Sequence, residues 1–138
     1  MDDGTIGIIM IIFMLLIVAG IIVGFVFLGK KSKERNDEAE LKVSQIANSL
    51  PADKQGLFMM QYQNIRKDPI VAVWLALLLG GWGAHKFYMG NTVLGIVYIL
   101  FSWTFIPAII SFIEAFTIAG KVGEYNEQQA SRLASVFN

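Results

Sequence analysis

The chain has 138 residues, a formal net charge of zero, no cysteine and one histidine. These counts exclude disulfides, thiolate metal sites, cysteine nucleophiles and a histidine-rich metal centre, and zero net charge gives bulk nucleic-acid binding little basis. Mean hydropathy is +0.57 and 55% of the residues are hydrophobic, gathered in long runs, against about 45–50% for a soluble domain, so the composition is that of an integral membrane protein.

The first run, residues 5–28, reads TIGIIMIIFMLLIVAGIIVGFVFL and carries no charge. As a helix it is about 36 Å long, enough to span a hydrocarbon core of about 30 Å with some tilt. Asp2 and Asp3 precede it, and Lys30, Lys31, Lys33 and Arg35 follow it. An acidic lead, a long apolar run and a basic end describe an uncleaved span rather than a cleaved signal peptide. Of eleven basic residues, eight lie between Lys30 and Lys67. The positive-inside rule therefore expects the amino terminus outside and the following segment in the cytoplasm. Within the span, Gly20 and Gly24 form a GxxxG, a helix-packing face that lets a second backbone approach. Glycine is also common in membrane helices with no such role.

Residues 30–67 are polar, with two helical stretches. Asn36 or Asp37 is expected to cap the first, which carries a stripe of Val43, Ile46, Ala47 and Leu50. Ser49 and Pro51 separate it from a second stripe, Phe58, Tyr62 and Ile65, flanked by Leu57, Met59 and Met60, a run apolar enough to lie among headgroups. Asp68-Pro69 closes the region. Residues 70–84 are apolar but short for a span, about 22 Å, unless the helix continues through the glycines that follow. Residues 93–119 are apolar and long, interrupted by Ser102, Thr104 and Pro107, where a kink or a break is expected. The residues leave open which of the two occurs. From Lys121 the tail is polar, with a weak surface stripe of Val122, Tyr125, Leu133, Val136 and Phe137.

Between the last two apolar runs stands GGWGAHKFYMGN, residues 80–91. A phosphate-binding loop needs GxxxxGK and Ser or Thr between a strand and a helix, and both spacing and context fail here. Nucleotide binding is therefore not expected. A turn beside a bilayer suits every residue type: glycines for close backbone approach, Trp82, Phe87 and Tyr88 as interfacial aromatics, and Lys86 as a snorkelling cation.

The order Gly80, Gly81, Trp82, Gly83, Ala84, His85, Lys86, Phe87, Tyr88, Met89, Gly90 resembles the signature of the TM2 domain, a family of paired membrane helices joined by a short linker. Bacterial members commonly read GG-x-G-A-H-[RK]-F-Y-x-G. The resemblance extends over about residues 67–121, through Leu94-Gly95-Ile96 to a late acid, Glu114, where the family usually has aspartate. It implies a membrane helical hairpin and no particular reaction. Animal members carry Asp-Arg-Phe in place of His85-Lys86-Phe87, so their links to signalling and peptide binding do not carry over.

Glu114 is the only charge in its run, and an intramembrane acid is expected to find a partner. Its height near the cytoplasmic end makes Arg66 and Lys67 the expected partners, with a proton or ion pathway, or a contact to another protein or to lipid, as alternatives. His85 and Lys86 are expected near the opposite surface. They reach Glu114 directly only if residues 93–119 break near Pro107 and fold back. Charge counting puts the His85-Lys86-Phe87 loop outside, whereas the animal members of the family are generally drawn with theirs in the cytoplasm.

The expected fold is an all-α membrane protein: an amino-terminal transmembrane helix (1–29), a short helical cytoplasmic linker (30–68), a transmembrane helical hairpin (69–120) and a cytoplasmic tail (121–138). The expected role is that of a small structural or interaction protein of the bacterial inner membrane, multi-pass, assembling with itself or with another membrane protein. The alternative is a channel or transporter component that uses Glu114. Its expected surroundings are membrane lipid, without nucleic acid, nucleotide or cofactor. No enzyme activity is expected, because no nucleophile stands beside a base and an acid pair.

Overall fold

A computed structural model describes residues 3–137, and every regular element among them is helical, as the all-α expectation requires. Asp2, one of the acids flanking the first span, lies outside the described residues. Helix α1 (Asp3–Ser49) is continuous over 47 residues, about 70 Å. The predicted cap at Asn36 or Asp37 therefore does not form. Lysine, arginine and glutamate from Lys30 to Arg35 are good helix formers, and Gly29 costs too little to stop a long helix. Asn36 is instead buried against another helix.

The break at Ser49 and Pro51 occurs as expected, and α2 (Ala52–Ile65) follows with Phe58 and Tyr62 buried and Ile65 exposed. The tail departs most from its reading. Residues 118–137 form α7 (Ile118–Phe137), a 20-residue helix that runs beside the second half of α1. Gly120 and Gly123 permit the approach: a Cβ on Gly123 would stand 2.8 Å from Asn36 Cα. The seam continues outward as a core of Val43, Ala47, Leu50, Phe58, Tyr62, Ala130 and Ala134. Arg35–Glu124 at 3.3 Å and Lys42–Glu127 at 3.1 Å flank it. Exposed pairs of this kind contribute about 1 kcal/mol at most. The close packing of small residues supplies the fit.

The first half of α1 is the opposite case. Every large apolar residue from Ile6 to Val23 is exposed. At Phe25 α1 begins to meet the rest of the fold, stacking on Phe116 at 4.3 Å and meeting Phe112 edge-on at 5.7 Å.

Between α2 and α7 the chain makes two consecutive hairpins. Helix α3 (Pro69–Leu79) begins at the Asp68-Pro69 pair: Asp68 Oδ1 accepts from the Ile70 and Val71 N–H groups at 2.7 and 3.3 Å, and Pro69 takes the first turn. It ends in a 3-10 turn (Gly80–Trp82). Gly83 then adopts φ +73 and reverses the chain into α4 (Ala84–Tyr88). The helix does not continue through the glycines. The reversal returns Tyr88 to the start of α3, where its hydroxyl oxygen accepts from the Asp68 N–H at 2.8 Å.

Asn91 caps α5 (Thr92–Phe101) through the Leu94 N–H. A second 3-10 turn (Ser102–Thr104) and Phe105 at φ +60 reverse the chain again into α6 (Ile106–Ala115). The interruption left open above is thus a break and not a kink. Pro107 lies in the first turn of α6, where its missing N–H costs nothing. The three long legs have 11, 10 and 10 residues, about 15–17 Å each against a core of about 30 Å. Ala72, Ala76, Ala115, Ile118 and Val122 form their core, and α7 leaves α6 at a 70° bend.

Candidate functional site: the Glu114 cluster

Glu114 stands in the last turn of α6 and is met from four directions. Its Oε1 meets Lys86 Nζ at 2.6 Å and Lys121 Nζ at 3.3 Å. Its Oε2 meets His85 Nε2 at 2.9 Å and the Tyr98 hydroxyl at 3.0 Å. A carboxylate offers about four lone-pair positions, so its acceptor capacity is filled. The contacts join α4, α5, α6 and α7 at one carboxyl group. His85 is 1% exposed, Lys86 13% and Glu114 19%, while Lys121 at 48% closes the outer edge.

Behind the carboxyl the chain of bonds continues. His85 Nδ1 lies 3.2 Å from Ser111 Oγ, and Ser111 donates to the Ala76 carbonyl at 2.9 Å. A hydroxyl has one proton. With that proton on Ala76, Nδ1 donates to Ser111, and Nε2 and Glu114 share the remaining bond. Ser111, His85 and Glu114 have the composition of a hydrolytic triad but not its working order. The Ser111 hydroxyl is committed to a backbone carbonyl and the residue is fully buried, so the trio acts as a strut across α3, α4 and α6.

The motif glycines make room for that strut. A Cβ on Gly80 would stand 1.8 Å from Ser111 Oγ, and one on Gly83 2.7 Å from Tyr98 Cβ. Gly81 packs on Ala108, and the Phe87 ring lies over Gly95. Gly90 takes φ +80 at the turn into α5. His85 and Tyr98 meet edge-on at 5.5 Å, and Lys86 Nζ lies 5.4 Å over the Tyr98 ring.

The expected partnership of Glu114 with Arg66 and Lys67 is corrected. Lys67 Nζ bonds the Tyr88 carbonyl and lies over the rings of Tyr88 and Tyr125. Burial lowers its pKa from the usual lysine value. Its backbone is held by Asn126, which accepts from the Lys67 N–H and donates to the Lys67 carbonyl, both at 2.8 Å. Arg66 is exposed at the end of α2. The exchange has two causes: the break and fold-back at Phe105, next to Pro107, on which direct pairing depended, and the reversal at Gly83. The latter carries His85 and Lys86 back along α3 to the level of Glu114, so the expectation that they sit at the opposite surface fails as well. Tyr98, Ser111, Asn126 and Lys121 are not singled out by sequence reading. Ser111 and Glu114, the polar pair of α6 at i and i+3, are the available signal. Gly20 and Gly24 stand away from the cluster on the open part of α1, where a Cβ on either would meet no atom within 4 Å.

Residues 65–116 match the family model of the TM2 domain. Over 49 residues the chain is 59% identical to a Bacillus subtilis (strain 168) protein described as "Uncharacterized membrane protein YozV". That alignment covers 36% of this chain and 62% of the relative, under two thirds of the relative's length. No solved structure matches the chain. The two hairpins and, Lys121 apart, the Glu114 cluster lie within the matched segment, and the chain is a small membrane protein that carries a TM2 domain at residues 65–116.

Proposed function

We propose that this protein is a structural or interaction component of the bacterial inner membrane, assembling with itself or as a subunit of a larger complex through the open half of α1. One observation carries this reading. The span from Ile6 to Val23 lies exposed among the described residues, and it presents Gly20 and Gly24 on a bare face. The rest of the molecule is braced: α7 and α2 clamp the far half of α1, and Glu114 ties four helices together. A rigid body beside an unpaired, glycine-bearing helix suits assembly in a bilayer, where close backbone contact substitutes for a hydrophobic driving force.

The same contacts support a topology. Ser32 accepts from the Gly120 N–H at 2.8 Å, Lys67 meets Tyr88, and Lys86 and Lys121 share Glu114. Lys67, Lys86 and Lys121 thus gather at one end of the hairpins. In the proposed arrangement α1 crosses the bilayer with its amino terminus outside. Both hairpins enter from the cytoplasmic side and return, and the linker and tail stay cytoplasmic. Multi-pass crossing by the hairpins would need legs twice as long. The channel or transporter alternative has less support, because Glu114 offers a passing ion no vacant acceptor. A reaction has less still, with Ser111 sealed from any cleft.

The chain lacks cysteine, so single cysteines at Val23 and Ile17 report assembly directly. Disulfide crosslinking in native membranes is expected to give dimers with one and not the other, and Gly20→Leu with Gly24→Leu is expected to abolish them. Monomer alone in every variant sinks the assembly reading. Flux through vesicles holding the purified protein, abolished by Glu114→Gln, would favour the transport alternative.

A further inference from the structure

A cleft of about 290 Å³ opens beside Glu114 toward Lys121. Its polar side is Lys86, Lys121, Asn91, His85 and the Glu114 carboxyl, and its apolar side is Met89, Leu94 and Ile118. Two ammonium groups face one carboxylate, so the cluster holds excess positive charge whatever the proton count on His85. Each ammonium carries three N–H donors, and each directs one to Glu114. Glu114 has no acceptor capacity left for the others. Beyond the Tyr98 ring beside Lys86, a partly buried cationic excess is stabilised by water or by a counter-ion. Asn91, whose Oδ1 is held by the Leu94 N–H, brings its side-chain amide to the same rim.

The apolar wall selects among anions. Leu94 is 41% exposed on the outer side of α5, within the run that faces lipid. An inorganic anion would leave that wall unused, whereas an anion carrying a hydrocarbon chain would cover it. We propose that this cleft binds one anionic membrane lipid, with the phosphate on Lys86 and Lys121 and an acyl chain along Leu94 and Met89. Lys121, at the mouth, is the gate-side donor, and Lys86 is the inner one. The site lies in the leaflet on the linker side, where anionic lipid attracts basic residues. It stands whether or not the chain assembles through α1, since none of its residues lies on that helix.

The test uses the purified full-length chain in mild detergent, with native mass spectrometry counting bound lipid. Dioleoylphosphatidylglycerol is expected to be retained as one molecule per chain, and dioleoylphosphatidylcholine is not. Lys121→Gln is expected to weaken retention about five-fold, and Leu94→Asp to abolish it. Lys31→Gln, on α1 outside the cleft, is expected to leave it unchanged. Equal retention of the two lipids overturns the proposal. So does equal weakening by Lys31→Gln, which would mean a diffuse attraction to the basic surface. Displacement of the lipid by inorganic phosphate, with the same Lys121 sensitivity, would make the ligand a free anion and overturn the lipid assignment. Lys121 is half exposed, so its variant retains the fold and decides the matter if Leu94→Asp does not fold.

Discussion

Two glycine clusters in this chain meet opposite surroundings. A Cβ on Gly20 or Gly24 would find no atom within 4 Å, whereas one on Gly80 would strike Ser111 Oγ at 1.8 Å and one on Gly83 would strike Tyr98 Cβ at 2.7 Å. The first pair is a face that no described residue covers. The second is a joint whose partner is already seated, and at Gly83 the backbone itself is left-handed. A glycine motif in a membrane segment therefore has no single meaning. Its role is set by what the chain folds back against it.

The comparison breaks most sharply at Gly80. Gly80→Leu is expected to cost more than about 3 kcal/mol, because Ser111 and the Ala76 carbonyl cannot both retreat. Thermal unfolding in detergent would show it as a large drop in midpoint, and an unchanged midpoint would mean that α3 and α6 are not in contact there. Next comes Glu114→Gln. Removing the carboxylate leaves Lys86, largely covered, without its counter-charge, and a loss of about 3 kcal/mol is expected. Circular dichroism during heating measures this, and a loss no greater than for an exposed pair would show that water already satisfies Lys86.

A smaller effect belongs to Asn126. Asn126→Ala removes both bonds to the Lys67 backbone, and about 1–2 kcal/mol is expected. Hydrogen exchange at the Lys67 amide is the local readout, and it should accelerate while amides in α5 do not change. The smallest effect is that of Gly20→Leu on the monomer, within about 0.5 kcal/mol. A large loss in dilute detergent would show that the open face is covered within one chain after all.

Much of the fold was legible along the chain. The uncharged run before Lys30 and the break at Ser49 and Pro51 both follow from local chemistry: hydropathy over about twenty residues and a missing N–H. The family was legible in the residue order from Gly80 to Gly90. The tail was not, because hydrophobic stripes weigh large side chains. In α7 the contact residues are largely small, Gly120, Gly123, Ala130 and Ala134, and they act by permitting approach. The continuation of α1 through Lys30–Arg35 was hidden because a boundary in polarity is not a boundary in backbone conformation.

The sequence alone determined that this is an all-helical membrane protein with an apolar amino-terminal span, and that Glu114 needs a partner. Those conclusions depend on transfer energies and dihedral preferences, which belong to single residues and short runs. Only the tertiary structure decided which partner Glu114 has. That choice hangs on two chain reversals, at Gly83 and at Phe105, the latter a left-handed residue with no glycine to announce it. Reversal brings residues 28 and 29 positions apart onto one carboxylate, and no local preference along the chain encodes a distance of that kind.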